Sequence, residues 1–314
     1  MTKSHETNQP AGAPDTDRSL APDAAGRRRG LIQIHVAAFL VGFPGLFSKW
    51  LTLSPAVITG ARLLIGSVAL LIFARISGAS LRIKTRRDLL LIMLSGTMLA
   101  LHWMAFFKSI QVSTVAIGML SFSTFPMFVT FLEPILFRER LRGSDVVTAA
   151  VVVAGLAVIA PILDVGNSLT QGVLWGVLCA FGCALVSLLS RTCVRTHPSA
   201  TVVFYQQAFG ALFSLPALLA FDGHLTGCDL GLLVLLGVLF TAVAQALIVA
   251  SLRHIRAQVA SVVIALEPVY GILFAVTLLH EIPTLRTLLG GLLICGAVSW
   301  ASWKHAQSPA AAHA

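Results

Sequence analysis

Among the side chains able to carry or exchange charge inside the long apolar stretches of this 314-residue chain are Lys49, Arg62, His102 and Glu267. A guanidinium or ammonium in such surroundings suits an anionic group on a small solute. A carboxylate there suits an amine or a proton. Helical spacing sets two of them and other residues on shared faces: His35, Gly42 and Lys49; Ser95, His102 and Ser109; Gln206, Gly210 and Ser214; Thr241 and Gln245. Trp103 and Tyr270 add aromatic faces for stacking. Each of these residues also has a plainer reading. Lys49 is placed to snorkel to an interface, His102, Trp103 and Tyr270 to pack, and Glu267 to bond a neighbouring helix.

Other chemistries lack their residues. No HExxH, no facing Asp pair and no GxxxxGK[ST] is present, which argues against a zinc hydrolase, an intramembrane aspartyl enzyme and an ATP-driven pump. The five cysteines have no metal-ligand spacing with histidine, so neither a metal nor a cofactor is expected.

The solvent around these side chains follows from composition. Charged residues make up 11% of the chain and hydrophobic ones 57%, against about 25% charged in a soluble domain. The apolar residues fall in ten blocks, 31–50, 55–74, 88–109, 114–137, 145–163, 169–190, 199–220, 230–251, 257–279 and 284–303. Each approaches the ~20 residues a helix needs to cross a bilayer. None alternates as a barrel strand would. The expectation is an all-α membrane protein with ten transmembrane helices. Residues 1–30 and 304–314, rich in Pro, Ala and polar residues, are expected to be disordered tails. At mid-membrane a charge costs on the order of 2.5–3.5 kcal/mol on insertion scales, so Arg62 and Glu267 should face an interior or a cavity.

The net charge of +9 is distributed as an orientation signal, not as a nucleic-acid patch. Alternate loops and the two termini hold 18 Lys and Arg; the opposite loops hold 3, namely Lys49, Lys108 and Arg286. Both termini are therefore expected in the cytoplasm, with the chain in the cytoplasmic (inner) membrane.

The chain also repeats itself. At an offset of 142 residues, Ala38-Phe39 fall on Ala180-Phe181, Ser48-Lys49 on Ser190-Arg191, Ser109 on Ser251, Pro126 on Pro268 and Glu139 on Glu281. Residues 31–163 and 169–303 then form two five-helix units. Because five is odd, the second unit enters the membrane from the other side, giving the inverted repeats of many secondary transporters. Pro126 and Pro268 occupy equivalent mid-helix positions, where each is expected to kink its helix.

These residues resemble the drug/metabolite transporter superfamily, specifically its EamA-like permeases. The match is carried by Arg62-Leu63-Leu64 with Gly66, by TFPMFVTFLEPILFRERL at 124–141, by ASLRHIRAQVASVVIALEP at 250–268 and by LEPVYGILFAVTLLHE at 266–281. Where many members have a Trp-Gly pair in the first helix, this chain has Phe43-Pro44-Gly45. The resemblance implies a secondary transporter, an exporter of small polar or amphipathic metabolites working by alternating access in the lipid bilayer as a monomer or homodimer. Arg62 and Lys49 would then draw an anionic group, and Glu267 an amine or a coupling proton. His102, Trp103, Gln206, Gln245 and Tyr270 would shape the pathway. A non-transporting membrane receptor or assembly protein and an intramembrane enzyme are the alternatives.

Overall fold

A computed structural model describes residues 24–137, 143–160, 164–251, 254–255, 257–264 and 266–306. Glu139 and most of the two tails lie outside the described residues. The chain runs α1 (Ala24–Val41), α2 (Pro44–Trp50), α3 (Pro55–Ile76), α4 (Arg86–Val112), α5 (Val115–Phe122), α6 (Phe125–Phe137), α7 (Gly143–Ile159), α8 (Ser168–Cys193), α9 (Ser199–Leu219) and α10 (Gly227–Gly237). A π turn over Val238–Val243 leads into α11 (Ala244–Ser251), followed by α12 (Ala257–Ile264), α13 (Glu267–Leu278) and α14 (Leu285–Ala306). No strand occurs among the described residues.

Among the described residues, seven helical stretches are long and apolar enough to cross a membrane. They are Ala25–Trp50, Pro55–Ile76, Arg86–Val112, Val115–Leu136, Ser168–Cys193, Ser199–Leu219 and Gly227–Ile248. The other three apolar blocks hold shorter helices, Val146–Ile159, Glu267–Leu278 and Leu285–Trp300. Block nine is divided because α12 stops before Glu267. The ends of the apolar blocks also understate the helices. α1 begins at Ala24 and includes Arg27, Arg28 and Arg29, and α14 runs to Ala306. Arginine is a good helix former, so a helix extends beyond the hydrocarbon that its apolar part matches.

Helix starts follow the local sequence. Ser54, Thr85 and Thr114 accept from the backbone N–H three residues on, and Thr226 with Asp229 forms a capping box. Each satisfies donors that a helix start leaves open.

Helices in lipid gain little from burying apolar surface against one another, so close approach through small residues carries the packing. On α8, Gly172, Gly176, Ala180 and Ala184 are all buried along one face. A Cβ on Gly176 would be driven into Ser121 of α5. Gly96 of α4 and Gly210 of α9 bring two backbones together, the position of a Cβ on Gly210 lying 2.9 Å from the Gly96 carbonyl. Large apolar side chains point outward instead. Leu64, Val68 and Ile72, one turn apart on α3, are about half exposed. In water they would form an aggregation-prone stripe; in a bilayer they are solvated.

Gly176→Val should lower the stability of the purified protein by about 1–3 kcal/mol, the usual cost of overpacking. The space around Gly231 of α10 is open, so Gly231→Ala should melt at or above wild type. Equal melting of Gly176→Val and wild type would mean that α5 and α8 are not held this closely.

Candidate functional site

A cavity of about 450 Å³ collects residues from both halves of the chain. Four helix interruptions border it. Val41 and Pro44 flank the break between α1 and α2, and Phe122 ends α5. Phe240 and Thr241 belong to the π turn, and Glu267 opens α13. Irregular backbone is tolerated at membrane depth only against protein or a wet cavity, a condition this clustering meets.

Pro126 and Pro268 do not kink continuous helices, as the spacing led one to expect. Each is the second residue of a new helix, α6 and α13, following breaks at Ser123-Thr124 and at Leu266. At a helix start the missing N–H of proline needs no partner, whereas mid-helix it would leave a carbonyl unsatisfied. Glu267 in the first turn of α13 sits where the helix dipole favours a carboxylate.

Arg62 is 3% exposed and lines the cavity. Its Nε donates to Thr241 Oγ1 at 2.6 Å. The guanidinium lies 3.5 Å from the centroid of the Trp103 ring, a cation–π geometry. Its Nη1 is buried with no partner. Glu267 shares the cavity, yet no ion pair within 4 Å joins it to Arg62. The two side chains therefore do not neutralise each other directly.

His102 lines the same space, its Nδ1 3.0 Å from the Cys179 carbonyl. A carbonyl only accepts, so Nδ1 must donate, and in the neutral ring Nε2 becomes the acceptor. Gln206 is a lining residue whose amide nitrogen is already committed to Ser95 and Ser190, at 2.6 and 2.7 Å. Gln245 and Trp103 complete the expected residues found here.

Two expected pathway residues lie elsewhere. Tyr270 packs between α1 and α13, its ring stacked on Phe274 and edge-on to Phe39. Lys49 lies 3.2 Å from Glu281 Oε1 and donates to the Ser113 carbonyl at 2.8 Å. Lys49 lies six positions beyond the α1–α2 break, at the last turn of α2, and is not among the residues lining the cavity.

Spacing alone had pointed to neither Gln207 nor the α8 row. Gln207 lines the cavity with its Oε1 buried and unpartnered. Cys183, Ser187 and Ser190 line it at steps of four and three along α8, a helical periodicity visible in the sequence once the cysteine is counted as polar.

The cavity has an open end and a closed end. Val194 and Ser199, at the α8–α9 junction, are exposed and belong to its lining. Toward the opposite end, Phe47, Phe106, Phe107, Ile110 and Met119 are fully buried together. Beyond them Glu281 grips two elements at once, Lys49 through Oε1 and the Val115 N–H through Oε2 at 2.9 Å. His280, at φ 57°, turns the chain so that Glu281 N–H bonds back to the Ala275 carbonyl. No group of three or more His, Cys, Asp or Glu able to hold a metal occurs among the described residues.

Known proteins of similar sequence are transporters by name. The chain is 26% identical over 270 residues to the uncharacterised transporter YxxF of Bacillus subtilis, covering 84% of this chain and 86% of that protein. An uncharacterised transporter of Archaeoglobus fulgidus is 28% identical over 86% of this chain and 95% of its own. The pseudopaline exporter CntI of Pseudomonas aeruginosa is 25% identical over 77% and 84% respectively. A crystal structure with 20% identity shares the fold, with a TM-score of 0.63 over 90% of this chain and all of the other. The sequence pattern of one family matches twice, at residues 28–160 and again at 170–303. This multi-pass membrane protein, with its cavity between two copies of one unit, belongs to the EamA-like transporter family.

Proposed function

We propose that the chain is a secondary transporter, an exporter of small polar or amphipathic metabolites bearing a carboxylate, working by alternating access between two inverted five-helix repeats. The observation that carries this reading is the buried guanidinium of Arg62, with Nη1 unpartnered, in a cavity that reaches the surface at one end. A buried cation left unpaired is costly, and a ligand oxygen is the partner it lacks. Glu267, at a separate point of the same wall, takes an amine of that ligand or a coupling proton. The similarity to an exporter of pseudopaline is consistent with outward movement.

With ten crossings and the basic loops inside, both termini lie in the cytoplasm and the protein in the inner membrane. The open end, at the Arg191- and Arg195-bearing α8–α9 junction, then faces the cytoplasm. Lys49, Glu281 and the aromatic cluster beneath them close the outer side. This is the loading state of an exporter.

Metabolite profiling of cells with and without the protein identifies the solute, and saturable flux of that solute into proteoliposomes tests the activity. Arg62→Gln should fold and insert normally but weaken half-saturation by about tenfold or more, the scale of one charge-assisted hydrogen bond. Glu267→Gln should keep the melting temperature and lose most flux or its pH dependence. Wild-type flux and pH profile in both variants would remove these residues from the pathway, and absence of any solute flux would favour a receptor.

Access gives a second test. With the other four cysteines replaced by alanine, Cys183 should react with an impermeant maleimide from the cytoplasmic face of inverted vesicles and not from outside intact cells. Lys49→Met or Glu281→Gln should increase labelling from outside. Outside labelling of the unaltered gate, or no change on breaking the pair, would overturn the assignment of the closed end.

A further inference from the structure

Thr241 stands in the one π turn among the described residues, and its hydroxyl is committed in a single direction. It donates to the Leu236 carbonyl, five residues back, at 2.8 Å. With its only proton used, the oxygen can meet Arg62 Nε only as an acceptor, which it does at 2.6 Å. An ordinary α turn would bring the carbonyl four residues back to this place; the wider π turn sets the hydroxyl one residue out of that register. Gly237, just before the turn, allows the approach. A Cβ there would come within 2.7 Å of the Ile65 side chain on the helix that carries Arg62.

The consequence falls on the guanidinium. Its Nε is taken by Thr241 and one of its faces by Trp103. Among the described residues it makes no other hydrogen bond, so its two terminal nitrogens are the part left for a ligand. Resting on the cavity reading above, we propose that Thr241 is a positioning residue that holds Arg62 with its terminal edge presented to the cavity, so that the site selects a carboxylate over a neutral amide of the same shape. Two parallel N–H bonds to a carboxylate require that edge to be held in plane. Trp103 restrains tilt, and Thr241 restrains rotation about the side-chain axis. Thr241 comes from the second repeat and Arg62 from the first, so the selective geometry exists only while the two halves are packed as seen here.

Acetate and acetamide serve as minimal probes, with phenylglyoxal modification of Arg62 in the full chain, reconstituted in nanodiscs, read by peptide mass spectrometry. In the wild type, Arg62 should be modified, acetate should protect it and acetamide should not. Thr241→Val, which keeps the shape and removes the acceptor, should raise the half-protecting acetate concentration about tenfold. Thr241→Ser, which keeps the hydroxyl, should behave as wild type. If Thr241→Val is not monodisperse, Thr241→Cys replaces it, with a weak acceptor and intermediate protection expected. Protection of Thr241→Val, or of the substituted Thr241→Cys, equal to wild type would overturn the proposal. So would loss of protection in Thr241→Ser, protection by acetamide, or an unreactive Arg62 in the unliganded wild type. The readout is binding without transport. A chain that shows this pattern and moves no solute would sink the transporter reading alone, and the reverse result would sink this inference alone.

Discussion

A bilayer offers peptide groups no hydrogen bonds, and the rest of this structure depends on that constraint. Each backbone N–H or C=O released from a helix inside hydrocarbon costs several kcal/mol unless protein or water receives it. The chain interrupts its helices at 42–43, at 123–124, at the π turn and at Leu266, and residues beside all four line one cavity. The interruptions cannot be scattered among the lipid-facing surfaces. Gathering them puts Arg62, His102, Gln206, Gln207, Thr241 and Glu267 around one cavity in an apolar molecule. Pro126 and Pro268 stand at helix starts, where the missing N–H needs no partner, while Pro134 and Pro216 stand inside α6 and α9.

The second determinant is a guanidinium held away from water. Arginine stays charged where lysine would give up its proton readily, and its planar head can be fixed by partners on its edge and face separately. Trp103 takes the face and Thr241 one edge position, while Nη1 stays unpaired. Leaving that donor open works against folding stability. Such a cost is expected where a site awaits a ligand, and a fully satisfied arginine would have nothing with which to bind one.

The two halves agree in plan and differ at the cavity. The helix starts at Phe125 and Glu267 are 142 residues apart, so they are one feature written twice. The break at 42–43 has its counterpart inside the continuous α8, and the π turn has its counterpart inside the continuous α4. Glu267 stands where the first half has Phe125, and Lys49 where the second has Arg191. Lys49 is paired with Glu281 and Arg191 with Glu133, at 3.2 and 2.7 Å. Of these positions only Glu267 lines the cavity.

Much of this was legible in the residues. Block length and charge scarcity determined the solvent, because a helix in lipid must be apolar over its span. The constant offset revealed the repeat, and polar residues in apolar blocks marked Arg62, His102, Gln206, Gln245 and Glu267, all of which line the cavity. Helical spacing assigns a residue to a face but says nothing of the neighbour that face will meet. Thr241 and Arg62 are 179 positions apart, and only packing of the halves brings them within 2.6 Å. Lys49 and Glu281 likewise found each other across the chain, which took Lys49 out of the cavity where its charge alone had suggested it belonged. Tyr270 follows Glu267 by three residues, yet its ring turns to Phe39 and Phe274. Composition and period decide which side chains avoid lipid; the docking of one helix on another decides which of them meet.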